Sequence, residues 1–323
     1  FVETRDGWKL CLYHYIPDKG GGIKDSAPVL LVHGLGANHH NLDPPDPKIS
    51  LAHYLHHRGH DVWLVDLRGA GRSRPVGWPL RRRQQFDFDD YVHRDVPAVM
   101  RRVLDESDAS SLFWVGHSMG GMLAYAAMEI YNQDLFRAVT TVASPAFTEM
   151  KHKMVDMAHD LRFMLNILPW IPYRMGSKVA ALAPGLVLKS MGGVVANPEM
   201  MDPRHVRQLL LTTPVDLPAR LMRQFAEWYG GHGFTRGDGL LDYYDHLDRI
   251  TAPVQLIAGA ADALTPPADI RFVYDQISSV DKDLLICGRE NGFSADYGHI
   301  DLVLGTRAPA EVFPHIARWI EAH

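Results

Sequence analysis

The chain has 323 residues, of which 46% are hydrophobic and 22% are charged, and its formal net charge at pH 7 is −5. This composition is ordinary for a globular protein that buries a large core, and the negative charge argues against nucleic-acid binding. No apolar run approaches the roughly 18 residues that a helix needs to span a membrane.

Strand-like apolar runs alternate with amphipathic runs along most of the chain. Residues 1–15 predict an antiparallel hairpin whose turn is Asp6–Gly7. Further strands are predicted at Val29–His33, Val62–Asp66, Leu112–Val115, Ala138–Ala143, Val254–Ala258 and Leu284–Cys287, and helices at Lys48–Arg58, Phe88–Glu106, Met119–Tyr131, Pro267–Ile277 and Ala308–Glu321. Apolar strands between amphipathic helices indicate an α/β fold, with a mostly parallel sheet that helices cover on both faces.

The alternation is interrupted between about residues 146 and 245, a stretch with a helical pattern that is rich in Pro and Gly and holds nine of the 13 methionines. We expect a helical cap, or lid, at 146–245, inserted after the sixth strand of a core domain that comprises 1–145 and 246–323. Met154 and Met157 lie on an apolar stripe at helical spacing. This stripe either packs on the core or, because methionine adapts its shape, contacts an apolar substrate.

Residues 116–121 read Gly-His-Ser-Met-Gly-Gly, between a predicted strand and a predicted helix. A Gly-x-Ser-x-Gly motif in this position is typical of a nucleophile elbow, a turn that lifts the serine hydroxyl clear of the backbone. Gly116 and Gly120 suit this turn because a side chain there would collide with the crossing strand and helix. Ser118 is therefore the candidate nucleophile.

A serine hydroxyl needs a base to take its proton and an acid to orient that base. In the chain order Ser, acid, His, the acid should end a late strand and the base should lie near the C-terminus. Asp262 leaves such a strand through small residues, and His299 follows a glycine after the last strand. We therefore expect Ser118, Asp262 and His299 to be catalytic. Three other aspartates are weaker candidates because none directly follows a core strand: Asp242, Asp245 and Asp296.

Backbone N–H groups must also stabilise the oxyanion of the tetrahedral intermediate, and each donor contributes about 3 kcal/mol. Met119 follows the nucleophile at the start of a helix, and Leu35 lies in the glycine-flanked loop after the first parallel strand. Both are expected donors of the oxyanion hole. His33, Gly34 and Asn38 belong to the same loop region, and we expect them to contact the substrate.

Other conspicuous features predict no chemistry. Residues 66–73 lack the spacing of a phosphate-binding loop, so we expect a structural turn held by Asp66 and Arg68. Four nearby histidines have no acidic or cysteine partner, which favours solvent exposure over a metal site: His53, His56, His57 and His60. Cys11 and Cys287 lie in strand-like runs and are expected core residues, and a disulfide between them stays open. The sequence predicts no cofactor and no metal.

Taken together, these motifs resemble the α/β-hydrolase superfamily. A narrower similarity, to the acid-lipase branch, is carried by Ser50–Ala52, Gly59–Leu64, Phe86–Tyr91, Asp95–Ala98, Tyr297–Gly305 and Ala308–Val312. Acid lipases tend to carry Gln after the nucleophile, where this chain has Met119. Polyhydroxyalkanoate synthases and some polyester hydrolases are similar in places, but the synthases use cysteine at the elbow, where this chain has Ser118. The resemblance implies hydrolysis of apolar esters beneath a helical cap.

The sequence therefore predicts a serine carboxylic-ester hydrolase that acts on apolar acyl esters, with aliphatic polyesters among the candidate substrates. The same triad would also serve C–C, lactone or amide hydrolysis, or acyl transfer, because a fold does not select among these reactions. A non-catalytic ligand receptor is a third hypothesis. The expected partner is a small apolar ester, and the sequence gives no indication of the oligomeric state. The sequence begins at Phe1, so a removed signal peptide stays open, and a cytoplasmic location is slightly favoured.

Overall fold

The computed structural model describes residues 1–17, 27–77, 85–146, 169–191, 194–229, 233–237 and 243–323. Within these ranges nine strands form one sheet: β1 (Val2–Glu3), β2 (Trp8–Tyr15), β3 (Val29–Val32), β4 (Val62–Asp66), β5 (Arg74–Pro75), β6 (Leu112–His117), β7 (Phe136–Val142), β10 (Val254–Gly259) and β11 (Lys282–Cys287). Two short strands, β8 (Trp170–Ile171) and β9 (Leu217–Pro218), pair with each other.

Helices connect the strands and occupy much of the chain between β7 and β10. They are α1 (Leu51–His57), α2 (Phe88–Asp90), α3 (Val96–Ser107), α4 (Met119–Ile130), α5 (Tyr173–Ala180), α6 (Pro184–Met191), α7 (Pro203–Thr212), α8 (Ala219–Glu227), α9 (Pro267–Gln276), α10 (Asp301–Leu304), α11 (Ala308–Glu311) and α12 (Phe313–Ala322). None of the helices in the described ranges is long and apolar enough to cross a membrane. Helices α5 to α8 lie where the cap is expected, and the boundaries of core and cap remain a prediction.

The strand order of the sheet is β1-β2-β4-β3-β6-β7-β10-β11, with β5 paired to β2. Strands β4, β3, β6, β7, β10 and β11 are parallel to one another, whereas β2 is antiparallel to β1, β4 and β5. The predicted α/β fold with a mostly parallel sheet is confirmed. The opening hairpin is also present: Val2 pairs with Leu10, and Gly7 takes a φ of 83° in the turn.

Side chains of the sheet alternate between two hydrophobic clusters, because successive residues of a strand point to opposite faces. In β3, Leu30 and Val32 belong to the cluster that includes α3 and α4, whereas Val29 and Leu31 belong to the cluster that includes α1 and α12. Helices therefore cover both faces of the sheet, which explains why β3 is apolar at every position.

The predicted strands agree with the structure within two residues at either end. The helix predicted at Lys48–Arg58 begins only at Leu51, after a 3₁₀ turn at Pro47–Ile49, and two other predicted helices are interrupted. A π-helical turn at Tyr91–Asp95 separates α2 from α3, and Pro97 lies in the first turn of α3. Pro314 likewise lies in the first turn of α12, just after α11. Proline has no backbone N–H, so it fits the first turn of a helix and not its interior.

Of the four histidines expected to be exposed, His57 is exposed, His53 and His56 are half-buried, and His60 is buried. His60 is 1% exposed rather than solvated, because it precedes β4 and lies beneath Glu321 of α12 at 3.7 Å. Within the described ranges, no group of three or more His, Cys, Asp or Glu side chains could hold a metal ion. Cys11 and Cys287 are buried in β2 and β11, as expected, and both are free thiols.

Candidate active site

Ser118 lies in a sharp turn between β6 and α4. Its backbone has a φ of 53° and a ψ of −119°, a conformation that costs a non-glycine residue about 1–3 kcal/mol. The Ser118 N–H donates to the Val142 carbonyl of β7 at 2.8 Å, which helps to hold this turn. A side chain at Gly116 would overlap the Gly120 backbone, and one at Gly120 would overlap the Val32 carbonyl. Both glycines are therefore required by the close approach of β6, α4 and β3.

Asp262 and His299 are in contact although they lie 37 residues apart. Both are buried, and Asp262 Oδ2 is 2.8 Å from His299 Nδ1. Asp262 Oδ1 accepts hydrogen bonds from the N–H groups of Leu264 and Thr265, each at 2.9 Å, and Oδ2 accepts the Thr265 hydroxyl at 2.6 Å. Burial alone would raise the pKa of the Asp262 carboxyl, but the His299 ring and the Thr265 hydrogen bonds bring it below its usual value. The Asp262 side chain is therefore an oriented carboxylate.

The other aspartates considered for this role do not contact His299 in the part of the chain that the structure describes. Asp245 is exposed in a 3₁₀ turn, and Asp296 accepts the Arg289 N–H at 2.8 Å. Asp242 lies outside the described residues. Of the aspartates considered, Asp262 is therefore the one that contacts His299 within the described ranges.

His117, which precedes Ser118, lies between two parts of the site. Its Nδ1 lies 3.0 Å from Asn41 Oδ1, and its Nε2 lies 3.1 Å from the His299 carbonyl oxygen. Asn41 Oδ1 also accepts the Gly34 N–H at 2.9 Å. Burial lowers the pKa of His117 to about 3, and the neighbouring His299 adds to this effect, so the His117 ring is neutral. A neutral ring carries a single N–H, so His117 donates to only one of these two oxygens, and the ring lies between the turn at Gly34 and the loop of His299.

Thr265, His117 and Asn41 are functional candidates that the sequence did not predict. Asp262-Ala-Leu-Thr265 is a pattern in which an aspartate side chain accepts hydrogen bonds from residues two and three positions later, so a signal for Thr265 was present. His117 and Asn41 come together across 76 residues of chain, and no local pattern indicates such a contact.

Ser118 and His299 line the same cavity, which has a volume of about 480 Å³. Helices α6 to α8 and the segments between them supply most of its walls, which are apolar. Among the wall residues are Leu188, Val195, Val206, Leu210, Leu217 and Phe225. An apolar ligand in this cavity would lie beside both Ser118 and His299.

Three of the residues expected to bind the oxyanion or the substrate lie close to Ser118. Leu35 and Gly34 line the cavity, and a side-chain carbon added at Gly34 would lie 3.2 Å from Ser118 Cβ. Met119 begins α4, so its N–H is one of the first-turn donors that have no acceptor within their own helix. Leu35 and Met119 thus belong to two different elements that meet at the turn of Ser118.

Of the other expected substrate residues, His33 and Asn38 are not among the residues that line the cavity. His33 is buried, its Nδ1 lies 2.9 Å from a backbone carbonyl, and its Nε2 accepts the Leu67 N–H at 3.2 Å. Burial lowers the pKa of His33, which keeps the ring neutral. Asn38 donates from Nδ2 to the Thr212 carbonyl at 2.8 Å, at the end of α7. Met154 and Met157 lie outside the described residues.

The architecture and the elbow agree with a comparison against known families, in which the alpha/beta hydrolase fold family matches residues 27–305. The chain belongs to the α/β-hydrolase family. Within this family, the chain lies in the lipase and esterase branch. Lysosomal acid lipase/cholesteryl ester hydrolase of Homo sapiens is 31% identical over 98% of this chain and 85% of its own. Lipase member K of Mus musculus is 26% identical over 99% of this chain and 86% of its own.

Solved structures share the fold at lower identity. The esterase EaEST from Exiguobacterium antarcticum has a TM-score of 0.65 at 17% identity and covers 99% of this chain and 98% of its own. A monoacylglycerol lipase from Paleococcus ferrophilus has a TM-score of 0.62 at 18% identity and covers 98% of this chain and 99% of its own. The α/β-hydrolase fold therefore extends over nearly the whole chain.

Proposed function

We propose that this α/β-hydrolase is a serine carboxylic-ester hydrolase that acts on apolar acyl esters through an acyl-enzyme on Ser118. The observation that carries the proposal is the arrangement around one cavity: Ser118 and His299 line it, and Asp262 contacts Nδ1 of the His299 ring. Relatives named as lipases and as a cholesteryl ester hydrolase support an ester bond as the target.

In the proposed acylation step, Ser118 Oγ attacks the carbonyl carbon of the ester while His299 Nε2 takes the hydroxyl proton. The Asp262 carboxylate keeps the other ring proton on Nδ1, so that Nε2 is free to accept, and it stabilises the imidazolium that forms. The bond between the carbonyl carbon and the alcohol oxygen then breaks. His299 returns its proton to the leaving alcohol, and the acyl group remains on Ser118.

In the proposed deacylation step, water attacks the acyl-enzyme with His299 again as base, which releases the carboxylic acid and restores Ser118. The N–H groups of Leu35 and Met119 are the proposed donors to the oxyanion in both steps. Their placement supports this role, since Leu35 lines the cavity and Met119 is the first residue of the helix that follows Ser118.

Replacement of the nucleophile tests the proposal. We expect Ser118→Ala to lower kcat on p-nitrophenyl esters by about 10⁶-fold, because loss of a triad nucleophile leaves only binding and the oxyanion hole. The matched control is Ser110→Ala, an exposed serine just before β6, at the end of the strand away from Ser118, and it should keep wild-type rates. Full activity in Ser118→Ala would refute the proposal.

The apolar walls of the cavity predict how the rate depends on the acyl chain. Each methylene that leaves water contributes about 0.8 kcal/mol, which is about fourfold in kcat/KM, until the cavity is filled. Initial rates on p-nitrophenyl esters from acetate to palmitate measure this dependence. A rise toward long chains supports a lipase, and a maximum at short chains supports small esters and the fragments of aliphatic polyesters. A rate independent of chain length would contradict an apolar acyl site.

A further inference from the structure

A short segment of the cap, residues 195–197, is joined to the loop that carries the proposed base. We call residues 195–197, between α6 and α7, the cap segment. The Ile300 N–H donates to the Val195 carbonyl at 2.9 Å, and Asn197 Nδ2 donates to the Asp296 carbonyl at 2.8 Å. These two hydrogen bonds lie on either side of the base in the sequence. The cap segment is therefore hydrogen-bonded to the loop both before and after His299, the proposed base.

The buried carboxylate of Asp301 also links the cap segment to the loop of His299. Its Oδ1 accepts the Asn197 N–H at 2.9 Å, and its Oδ2 accepts the Gly298 N–H at 2.8 Å. The residue is 0% exposed. Burial raises the pKa of Asp301 to about 6 although both N–H groups lower it, so the side chain is ionised at pH 8 and accepts both hydrogen bonds. One side chain thus links the cap segment to the residue that precedes His299.

The cap segment is also a wall of the cavity. Val195 and Ala196 line the cavity together with His299 and Ile300. The contact with the loop is close, because a side-chain carbon at Gly298 would lie 2.9 Å from the Ala196 Cα. A shift of this wall would therefore shift the backbone on which His299 is carried.

We propose that Asp301 is a positioning residue that fixes the cap segment to the His299 loop, so that the cavity wall and the base are set in place together. The proposal rests on the proposed function, in which His299 is the base. Asp301 is not among the residues that line the cavity, and it acts through the backbone of Gly298 and Asn197. A neutral amide at position 301 can accept only one of the two N–H groups, since its other polar atom is a donor.

The test is Asp301→Asn, assayed at pH 8 on p-nitrophenyl acetate and on a long-chain ester. We expect kcat to fall about 10- to 100-fold on both esters with KM changed less than about threefold, because displacement of a base by about 1 Å costs about 100-fold in rate. A residue that only shapes the cavity would raise KM for the long-chain ester and leave acetate turnover unchanged. Either that pattern or a wild-type kcat on both esters would overturn the proposal.

A control and a second variant accompany this test. Glu199 and Arg289 form an exposed ion pair at 3.0 Å that also runs between the cap and the region before His299. Glu199→Gln should change kcat less than twofold, because exposed ion pairs contribute little. If Asp301→Asn does not fold, as judged by circular dichroism, Asp301→Ser takes its place, because a single short hydroxyl cannot accept both the Asn197 and the Gly298 N–H groups. Asp301→Ser should lower kcat about threefold or more at constant KM, and a wild-type kcat would overturn the proposal.

Parallel assays of Ser118→Ala separate this inference from the proposed function. If the wild-type protein shows no turnover that depends on Ser118, the proposed function is wrong and the role of Asp301 is wrong with it. If turnover depends on Ser118 and Asp301→Asn leaves it unchanged, only the role of Asp301 is wrong.

Discussion

Thr265 supports the acid of the proposed triad with both its backbone and its side chain. Its N–H donates to Asp262 Oδ1 at 2.9 Å, and its hydroxyl donates to Asp262 Oδ2 at 2.6 Å while lying 3.2 Å from His299 Nδ1. Thr265 is 1% exposed, so water does not replace a lost hydroxyl easily. The hydroxyl is therefore one of three donors that hold the Asp262 carboxylate beside the His299 ring.

We expect Thr265→Val to lower kcat on p-nitrophenyl esters about tenfold, because a hydrogen bond to a charged group contributes about 1.5–3 kcal/mol and its loss lets the carboxylate turn. Thr265→Ser keeps the hydroxyl and should remain within about twofold of the wild-type rate. Steady-state kinetics of both variants measure the difference. Equal rates for the Val and Ser variants would mean that the backbone N–H groups alone orient Asp262.

Arg68 holds three elements together at the β1–β2 side of the sheet. Its guanidinium contacts Asp95 at 2.7 Å in the π-helical turn before α3, and Asp6 at 2.9 Å in the hairpin turn. Arg68 lies in the turn after β4 and is 2% exposed, while Asp95 is 0% exposed. Burial alone would lower the pKa of Arg68, but the two carboxylates raise it, so the guanidinium stays charged. The turn after β4, expected from its sequence to be structural, is therefore held by buried ion pairs.

Removal of one partner from this cluster should lower the free energy of unfolding much more than removal of two. We expect Arg68→Met to lower the free energy of unfolding by about 3–5 kcal/mol, because it leaves the buried Asp95 carboxylate without a counter-charge. The double variant Arg68→Met, Asp95→Leu should recover a large part of that loss. Urea unfolding of both variants and of the wild type measures this. A double variant less stable than the single one would show that packing, and not charge, dominates at this position.

The positions of the elements could largely be predicted from the sequence, and their interruptions could not. Buried parallel strands leave short apolar runs, so β4 at Val62–Asp66 is predicted at its observed bounds. The helices expected at Phe88–Glu106 and Ala308–Glu321 have outer bounds within one residue of the observed ones. Only their interruptions next to Pro97 and Pro314 are missed, because periodicity does not register a proline. Strand β5 has two residues and is too short to leave a pattern.

For the site, the sequence predicts what depends on local motifs and chain order. Ser118 follows from the elbow motif, and Asp262 and His299 follow from the ends of late strands. The contact of His117 with Asn41 and that of Asp301 with Asn197 depend on how distant segments pack, and no local pattern indicates them. The same reason applies to His60, which was expected to be exposed and is buried.

Buried histidines make the stability of the whole molecule depend on pH. His33, His60 and His117 are each 3% exposed or less, and burial lowers the pKa of all three. In the unfolded chain a histidine binds a proton below about pH 6.5. The unfolded state therefore binds more protons than the folded state below that pH, and stability falls as the pH is lowered. The raised pKa of Asp301 has the opposite effect. Its contribution to stability is present below about pH 4 and is lost as the pH rises through about 6.

His60 offers a direct test, since neither ring nitrogen has a hydrogen-bond partner among the described residues and Glu321, at 3.7 Å, is partly exposed. We expect the free energy of unfolding of the wild type to fall between pH 7 and 5. The free energy of unfolding of His60→Leu should fall less steeply than that of the wild type, because the variant removes one proton-binding group from the unfolded state. The two slopes should differ by at most about 1 kcal/mol per pH unit. The free energy of unfolding of Asp301→Asn should fall more steeply than that of the wild type. Urea unfolding at pH 5, 6 and 7 measures all three slopes, and parallel curves for the wild type and His60→Leu would contradict a lowered pKa at His60.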